Sequence, residues 1–388
     1  MRNDTHGYGS RRSRGRNHPL IGAAAVLIAT SLAAAACSSS STSGTKSGGT
    51  SVSAMLDNHS ANRSQQLLSC ADKEGAVQVY NANTAMDDLS TAFAKAYPKI
   101  KVSKVLSTSP AILTRIKAEI SAGQVKGDVL SVSEASMLEA AALKYTQPVY
   151  TPGVSMLRAA ENHSQTTGNG EVNWFDSYES FSGLAWNTNV IKSPPTNLQA
   201  YADPQFKGKI TMDNHIEGII WAGGLIKQMG QAKAQQYLKS LASNGMTTQN
   251  VSAATMVDLI ASGQVVMDPA AGMGDALKAK SEGKPVNWMP ISVDSEPGAV
   301  ALIAGAPHPC AGALFLDFVL SKAGQSVIVH DGFVSPVKGV ANAPYIASFN
   351  VAGIAAKAYD PSGTLSASAY NTDYNAWSSL LGTTFSSK

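Results

Sequence analysis

The stretch GAVQVYNANTAMDDLSTAFAKAYPKIKVSKVL, residues 75–106, decides the fold class because it alternates strand-like and helix-like patterns. Residues 75–80 are mostly apolar and include the β-branched Val77 and Val79, as in a short strand. Residues 86–97 place apolar side chains on one helical face, and Pro98 cannot continue that helix. Residues 100–106 alternate apolar and polar side chains, as a half-buried strand does. The stretch therefore predicts a β–α–β unit.

The alternation continues downstream of this unit. Ser109 and Pro110 suit the N-cap and first position of a helix that carries isoleucines on one face. Residues 128–131 are predicted to form the next strand, and residues 137–143 the next helix. Three such units within about 70 residues predict an α/β lobe with a largely parallel sheet.

A second α/β set is predicted between Gly183 and Pro297, as a chain of 388 residues with 44% hydrophobic side chains allows. Its strands are predicted at residues 184–186, 209–212, 265–267 and 286–290, and its helices at 218–229, 232–244 and 254–262. A strand at 299–303, a helix at 309–330 and a short terminal helix at 376–381 are predicted to follow.

Positive charge is concentrated at the N-terminus. Residues 1–36 carry five arginines and one aspartate, a local charge of +4 in a chain whose net charge is +3. The rest of the chain therefore has a net charge of −1, which provides no electrostatic footprint for a polyanion. This balance argues against nucleic acid as a partner.

The N-terminus is predicted to be an export signal. Residues 20–36 form an uncharged run, too short to span a bilayer comfortably, that ends in small residues. The sequence AAAC at 34–37 resembles a bacterial lipobox, although alanine replaces the usual leucine. The resemblance implies that residues 1–36 are a signal peptide and that Cys37 is lipidated; an ordinary signal peptide is the alternative. Residues 37–70 are then expected to form a Ser-, Gly- and Thr-rich tether.

Three blocks of the body resemble the extracellular solute-binding proteins of ATP-driven importers, of the iron, thiamine and phosphonate type. They are residues 75–102, FSGLAWNTNVIKSPPTNLQAYADPQFKGKITMDN at 181–214, and AGAPHPCAGALFLDFVLSKAGQSVIVHDGFVSPVKG at 304–339. The resemblance implies an α/β, two-lobed type II periplasmic-binding fold, in which each lobe is a central β-sheet flanked by helices and a hinge closes the lobes. Lobe 1 is expected to comprise residues 71–182 and 302–388, and lobe 2 residues 183–301.

The same resemblance implies the function and the partners. The chain is expected to capture a small-molecule solute between the lobes and to deliver it to the permease and ATPase subunits of an ABC importer. It is expected to be an extracytoplasmic, lipid-anchored monomer without a cofactor. An enzyme is not expected, because the sequence contains no G-x-S-x-G, H-E-x-x-H, C-x-x-C or G-x-x-x-x-G-K motif.

Cys70 and Cys310 are the only cysteines after Cys37. An even pair in an exported protein permits a disulfide, and two buried free thiols are the alternative. By the resemblance, Cys310 opens the helix that returns to lobe 1, and Cys70 lies just before the first strand of that lobe. The resemblance therefore implies a Cys70–Cys310 disulfide within lobe 1.

Candidate solute ligands follow the predicted strands, because loops at the carboxyl ends of strands line the crevice of an open α/β sheet. Local turn and cap roles are the alternative for each Ser, Thr and Asn. The first-lobe candidates are Asn81, Asn83, Thr84, Ser107, Thr108, Ser109, Ser131 and Ser133, and the second-lobe candidates are Asn214, His215, Glu217 and Asp268.

The candidate ligands favour an anionic organic solute. Residues 107–109 supply hydroxyl groups at the start of a predicted helix, where N–H groups and the helix dipole attract negative charge. A cationic solute, polyamine-like or thiamine-like, is the alternative. It would use Glu217, Asp268 and Glu296, with Trp186 or Trp221 as an aromatic face.

Ferric ion is not the expected ligand, and no metal site is predicted. The iron-binding members of the resembling family use hard ligands at positions that correspond here to Thr84, Ala270 and Ala271. Neither alanine side chain offers a ligand atom.

Overall fold

The computed structural model of the protein describes residues 52–82, 85–158, 164–167, 170–214, 216–361 and 367–385. All of them belong to the unit Thr50–Lys388. The predicted signal peptide, the lipidation site Cys37 and the candidate ligands Asn83, Thr84 and His215 lie outside the described residues.

The predicted β–α–β stretch forms one side of a mixed sheet. Strand β1 (Ala76–Asn81) pairs in parallel with β2 (Lys101–Leu106) and with β3 (Val129–Ser133). The sheet was expected to be largely parallel, but β13 (Gly298–Ile303) pairs antiparallel with β3 because it returns from the second half of the chain. The sheet is completed by β4 (Thr146–Gln147), β5 (Val149–Tyr150), β6 (Gln165–Thr166) and β7 (Glu171–Tyr178).

Helices cover both faces of this sheet, because successive side chains of its strands point to opposite faces. Val79 packs in one hydrophobic cluster with Phe93 and Phe315, whereas the adjacent Tyr80 packs in another with Ile112. The first face carries α1 (Val52–Leu56), α2 (Arg63–Glu74), α3 (Ala85–Ala96), α10 (Pro309–Val319) and α11 (Lys322–His330), and the second carries α4 (Ser109–Ser121) and α5 (Glu134–Ala142).

The single helix expected over residues 309–330 is divided into α10 and α11, which meet at 65°. The chain breaks at Ser321, whose Oγ accepts a hydrogen bond from the Gly324 N–H at 3.0 Å and caps α11. No single helix among the described residues is long and apolar enough to cross a membrane. Only this bent pair meets that criterion, and only when its two helices are taken together.

A tether was expected over residues 37–70, but α1 and most of α2 lie within that range. Helix α2 is held against the body because it buries Leu67 and Ala71 in the core. Near its start, Arg63 forms an ion pair with Asp317 of α10.

Helix α2 is also linked covalently to α10. Cys70 and Cys310 form a disulfide, with the Cα atoms 5.8 Å apart. The Glu74 carboxylate accepts the N–H groups of Cys310 and Ala311 at 3.1 and 2.7 Å, and thus caps α10. Cys70, Glu74 and Cys310 lie close enough to suggest a metal site, but the two sulfur atoms are bonded to each other and the carboxylate serves the helix.

A second, smaller set of strands lies between β7 and β13 in sequence. Strand β8 (Phe181–Asn187) is central and antiparallel to both β11 (Met267–Gly272) and β12 (Val286–Ser295). Strands β9 (Thr211–Asp213) and β10 (Thr247–Gln249) form a parallel pair. The helices of this part are α6 (Ile216–Met229), α7 (Gln231–Ser243), α8 (Ala253–Ser262) and α9 (Met273–Ser281).

The chain ends in α12 (Val351–Ala355) and the long helix α13 (Ala367–Phe385). Helix α13 has 19 residues, three times the span predicted over residues 376–381. It packs against α5, α6 and α7. Trp377 lies in the hydrophobic core around Trp221, directly over Gly223 of α6. This packing explains why a segment rich in Ala, Ser, Asn and Tyr is helical despite its weak sequence pattern.

Candidate functional site

A cleft lined by both sets of strands contains two adjoining cavities. The larger has a volume of about 980 Å³ and the smaller about 440 Å³. The two share four lining residues, Ala82, Ser109, Ser133 and Ile216, and are therefore adjacent. We call the larger the hydroxyl cavity, after Ser107, Thr108, Ser109, Ser133 and Ser136, and the smaller the acidic cavity, after Asp88, Glu217, Asp275, Glu296 and Asp331.

The hydroxyl cavity is built on the N-terminal ends of α4 and α5. The Ser107 N–H donates to the Asn81 carbonyl at 3.1 Å, which fixes the turn that follows β2. Ser109 Oγ accepts the Ser133 N–H at 3.3 Å and joins the two helix starts. Thr108 occupies the N-cap of α4 without a side-chain capping hydrogen bond. Its hydroxyl is therefore not committed to the helix.

The acidic cavity concentrates negative charge. Five carboxyl groups line it, and Lys278 supplies the only positive charge among its described lining residues. Burial raises the pKa of Asp275 above its ordinary value, although the neighbouring Lys278 acts in the opposite direction. Burial likewise raises the pKa of Asp331. The raised pKa values show that burial and mutual repulsion favour the protonated form of these carboxyl groups.

Glu217 is the most distinctive of these groups. It lies in the first turn of α6, where Asp213 Oδ1 accepts the Gly218 N–H at 3.3 Å. Burial raises the pKa of Glu217 to about 7, its own N–H lowers it, and the charge of Asp275 raises it further. The Oε2 atom of Glu217 is inaccessible to solvent and has no hydrogen-bond partner. Glu217 thus lines the acidic cavity, while one of its two carboxyl oxygens is buried without a partner.

Two further carboxyl groups interact with Glu217. Burial raises the pKa of Glu296 well above its ordinary value, and the charge of Glu217 adds to the rise. Burial also raises the pKa of Asp268 to about 8, with a further increase from Glu217. Asp268 is fully buried in β11, where its Oδ1 accepts the Ala270 N–H at 2.9 Å, and it does not line either cavity.

The other predicted ligands lie away from the cavity walls. Asn81 and Ser131 are buried in β1 and β3, where the Ser131 carbonyl accepts the Ala82 N–H at 2.9 Å. Asn214 is exposed, and its N–H donates to the Gln249 carbonyl at 2.9 Å. The structure thus brings together Ser107, Thr108, Ser109, Ser133 and Glu217.

Aromatic side chains also line the cleft, but they differ from those considered in the sequence. Trp221 is fully buried and Trp186 nearly so, and both lie in the hydrophobic core. The hydroxyl cavity is lined instead by Tyr370 and Tyr374 of α13. Sequence reasoning missed these tyrosines, although Tyr370, Tyr374 and Trp377 follow the i, i+4, i+7 spacing of one helical face.

The residues that correspond to the iron ligands of the resembling family offer no oxygen ligand where they are described. Ala270 and Ala271 are buried in β11. Thr84 lies outside the described residues.

The family is identified by comparison with known sequences. The profile described as "Bacterial extracellular solute-binding protein" matches residues 88–351. The chain belongs to this family. It is therefore an extracytoplasmic solute-binding protein of the ABC-importer type, and its relatives bind solutes and are not enzymes. No curated protein sequence matches the chain.

Solved structures share the fold of this solute-binding protein. AfuA from Actinobacillus pleuropneumoniae, with fructose-6-phosphate bound, is 21% identical over 81% of this chain and 99% of its own, with a TM-score of 0.64. Iron-bound HitA from Pseudomonas aeruginosa is 18% identical over 78% and 99%, with a TM-score of 0.64. The substrate-binding protein of an ABC transporter from Agrobacterium tumefaciens is 16% identical over 79% and 94%, with a TM-score of 0.65.

These likenesses establish the type II periplasmic-binding fold that the sequence predicted. One neighbour holds a sugar phosphate and another holds iron, so the fold does not specify the solute. The solute class must be argued from the cleft of this chain.

Proposed function

We propose that this solute-binding protein captures a small organic solute that carries an ammonium-type cation, and that Glu217 and Glu296 hold the cation in the acidic cavity. The solvent-inaccessible Oε2 of Glu217, which lacks a hydrogen-bond partner, is the observation that carries the proposal. Leaving a buried acceptor unpaired costs about 1–3 kcal/mol. An N–H donor or a cationic group on a bound solute would remove that cost.

The electrostatics of the acidic cavity favour the same class of solute. The pKa values of Glu217 and Glu296 are raised first by burial and then by a neighbouring carboxylate. A cation between the two groups would lower both pKa values, because a nearby opposite charge favours the ionised carboxylate. Binding of a cation would therefore release protons from the two carboxyl groups.

An anionic organic solute, as expected from the sequence, is the second candidate. Residues 107–109 support it, because they line the hydroxyl cavity at the start of α4, together with Lys117. It ranks second because none of the described residues that line this cavity has a buried side-chain atom without a partner. The two candidates are compatible in one zwitterionic solute, since Ser109 and Ser133 line both cavities.

Capture is proposed to involve closure of two lobes. The expected bounds were residues 71–182 with 302–388 against residues 183–301, but β13 (Gly298–Ile303) lies in the main sheet, so the second lobe is proposed to end before Gly298. The positions of the lining residues support this division. Ser109 begins the helix after β2 and Ser133 ends β3, both strands of the main sheet, whereas Glu217 lies in the helix that follows β9. Helix α13 packs on helices of both proposed lobes. It would therefore restrain the opening of the cleft.

The bound solute is proposed to pass to the permease and ATPase subunits of an ABC importer, as in other members of the family. We also propose that a lipid on Cys37, after removal of residues 1–36, keeps the protein close to that permease. The AAAC sequence at 34–37 supports this part of the proposal.

Thermal unfolding with a small panel of solutes tests the proposed charge. Spermidine and thiamine represent cations, and inorganic phosphate and citrate represent anions. A solute present at a hundredfold excess over its Kd stabilises the folded state by about 2.7 kcal/mol. Stabilisation by cations, lost in Glu217→Gln, supports the proposal. Stabilisation by anions alone, unchanged in Glu217→Gln but lost in a Thr108→Ala/Ser109→Ala double variant, would establish the second candidate in its place.

A further inference from the structure

The C-terminal helix α13 forms part of the cleft, although it lies outside the residues that match the family profile. The profile ends at residue 351, and α13 begins at Ala367. Tyr370 and Tyr374 nevertheless line the hydroxyl cavity together with Ile216, the residue that precedes Glu217. A wall of the site is thus supplied by a segment that the family match does not cover.

The two tyrosine rings are held in fixed positions. They stack on each other at a centroid distance of 5.8 Å and an interplanar angle of 20°. Tyr370 also meets Trp377 edge-on at 6.3 Å. Trp377 is immobilised in turn, because its indole lies over Gly223 so closely that a Cβ there would come within 2.8 Å of the ring. The stacked rings therefore form a rigid aromatic face.

This aromatic face lines the hydroxyl cavity, which shares Ala82, Ser109, Ser133 and Ile216 with the acidic cavity. Burial raises the pKa of Tyr374 above its ordinary value, and the charges of Glu296 and Glu217 raise it further. The pKa of Tyr370 is raised by burial and then by Glu296. Both phenols therefore stay neutral at physiological pH, and their rings retain the negative π-face that attracts cations.

Helix α13 is anchored at both ends of this face. Asn371 Nδ2 donates to Glu139 Oε2 of α5 at 3.2 Å. Further along the helix, Leu380 and Leu381 are buried in the same core as Trp221. The helix is therefore a fixed wall and not a loosely attached tail.

We propose that Tyr370 and Tyr374 are specificity-determining residues of the solute site, which together with Glu217 and Glu296 select an N-alkylated ammonium over a primary ammonium. This inference rests on the proposed cation site and deepens it. Carboxylates alone attract any cation. An aromatic face binds more favourably a cation that is easily desolvated and that presents methyl groups or ring carbons.

Choline and ethanolamine are suitable probes, because they differ only in the three methyl groups on nitrogen. Isothermal titration calorimetry would measure both in wild type, Tyr374→Phe, Tyr374→Leu and Tyr370→Leu/Tyr374→Leu. We expect choline to bind more tightly than ethanolamine in wild type. We expect the double variant to weaken choline binding about tenfold or more, and ethanolamine binding about twofold at most. Tyr374→Phe keeps the ring and should bind choline much like wild type.

Phe385→Leu is the matched control, since it removes an aromatic ring from the same helix at a position that does not line either cavity. Melting curves establish that each variant is folded, and Tyr374→Leu serves if the double variant is not. If folded tyrosine variants retain the wild-type preference for choline while Glu217→Gln loses binding, the specificity role of the tyrosines is wrong and the proposed cation site is supported. If wild type binds neither probe, this inference is wrong, and the cation site is judged separately by its response to spermidine and thiamine.

Discussion

Replacing Glu217 with glutamine is expected to stabilise the unliganded protein and to abolish solute binding. Burial raises the pKa of this carboxyl group from 4.5 to about 7 in the folded protein. Between these two pH values the folded state holds a proton that the unfolded state has released, so the free energy of unfolding falls as the pH rises through this window. Below pH 4.5 both states are protonated and the effect disappears.

The size of the effect follows from the same shift. A carboxyl group whose pKa rises from 4.5 to about 7 on folding destabilises the folded state by about 3 kcal/mol above pH 7. Glutamine has nearly the same shape and no charge, so Glu217→Gln should recover up to about 3 kcal/mol at pH 8 and little at pH 4.5. A gain of stability with a loss of function is typical of a residue held in a strained site for its ligand.

Urea unfolding, followed by circular dichroism, measures the free energy of unfolding of wild type and Glu217→Gln at pH 4.5 and at pH 8. Asp203→Asn, which removes an exposed carboxylate, is the control and should change little at either pH. Calorimetric titration with the best cation from the solute panel reports binding. The reasoning is refuted if Glu217→Gln destabilises the protein at pH 8, or if its effect is the same at both pH values. In either case Glu217 would be part of the structural framework.

Three further outcomes are expected from changes elsewhere in the chain. Cys310→Ser should cost about 3–5 kcal/mol in urea unfolding, because the bridge to Cys70 closes a loop of 240 residues, and a change below 1 kcal/mol would contradict the role given to it. Gly223→Ala should cost about 1–3 kcal/mol, because the new methyl group collides with Trp377, and an unchanged melting temperature would show that the indole can move. In cells fed a palmitate analogue, the wild-type protein should be labelled and Cys37→Ala should not. Equal labelling of both would exclude a lipid on Cys37.

The architecture of the main sheet was predictable because its signals are local. Pro98 and the Ser109-Pro110 pair mark helix boundaries, and the helices found at Ala85–Ala96 and Ser109–Ser121 lie close to their predicted spans. The division of α10 from α11 was missed, because a single serine cap at Ser321 interrupts an otherwise continuous apolar pattern. The antiparallel entry of β13 depends on chain topology, which periodicity does not encode.

The sequence predicted some residues of the candidate site and missed others. Residues 107–109 were expected at the cleft because a strand and a helix start flank them, and they line it. Glu217 was named as a candidate, but its unpaired buried oxygen depends on how α6 packs against its neighbours. Tyr370 and Tyr374 were missed because a segment rich in Ala, Ser and Asn carries a weak pattern, and because their place in the cleft is set by contacts with distant helices.

The double attachment of α2 to α10 determines how the protein would respond to a mechanical load. The Arg63–Asp317 ion pair fixes the start of α2, and the Cys70–Cys310 disulfide fixes its last turns. A pulling force on the N-terminal segment therefore acts first on the ion pair and then on the disulfide. The force then passes into α10 at the centre of the core and does not reach β1 directly. A load applied at the start of α1 would therefore leave undisturbed the strands that carry the cleft.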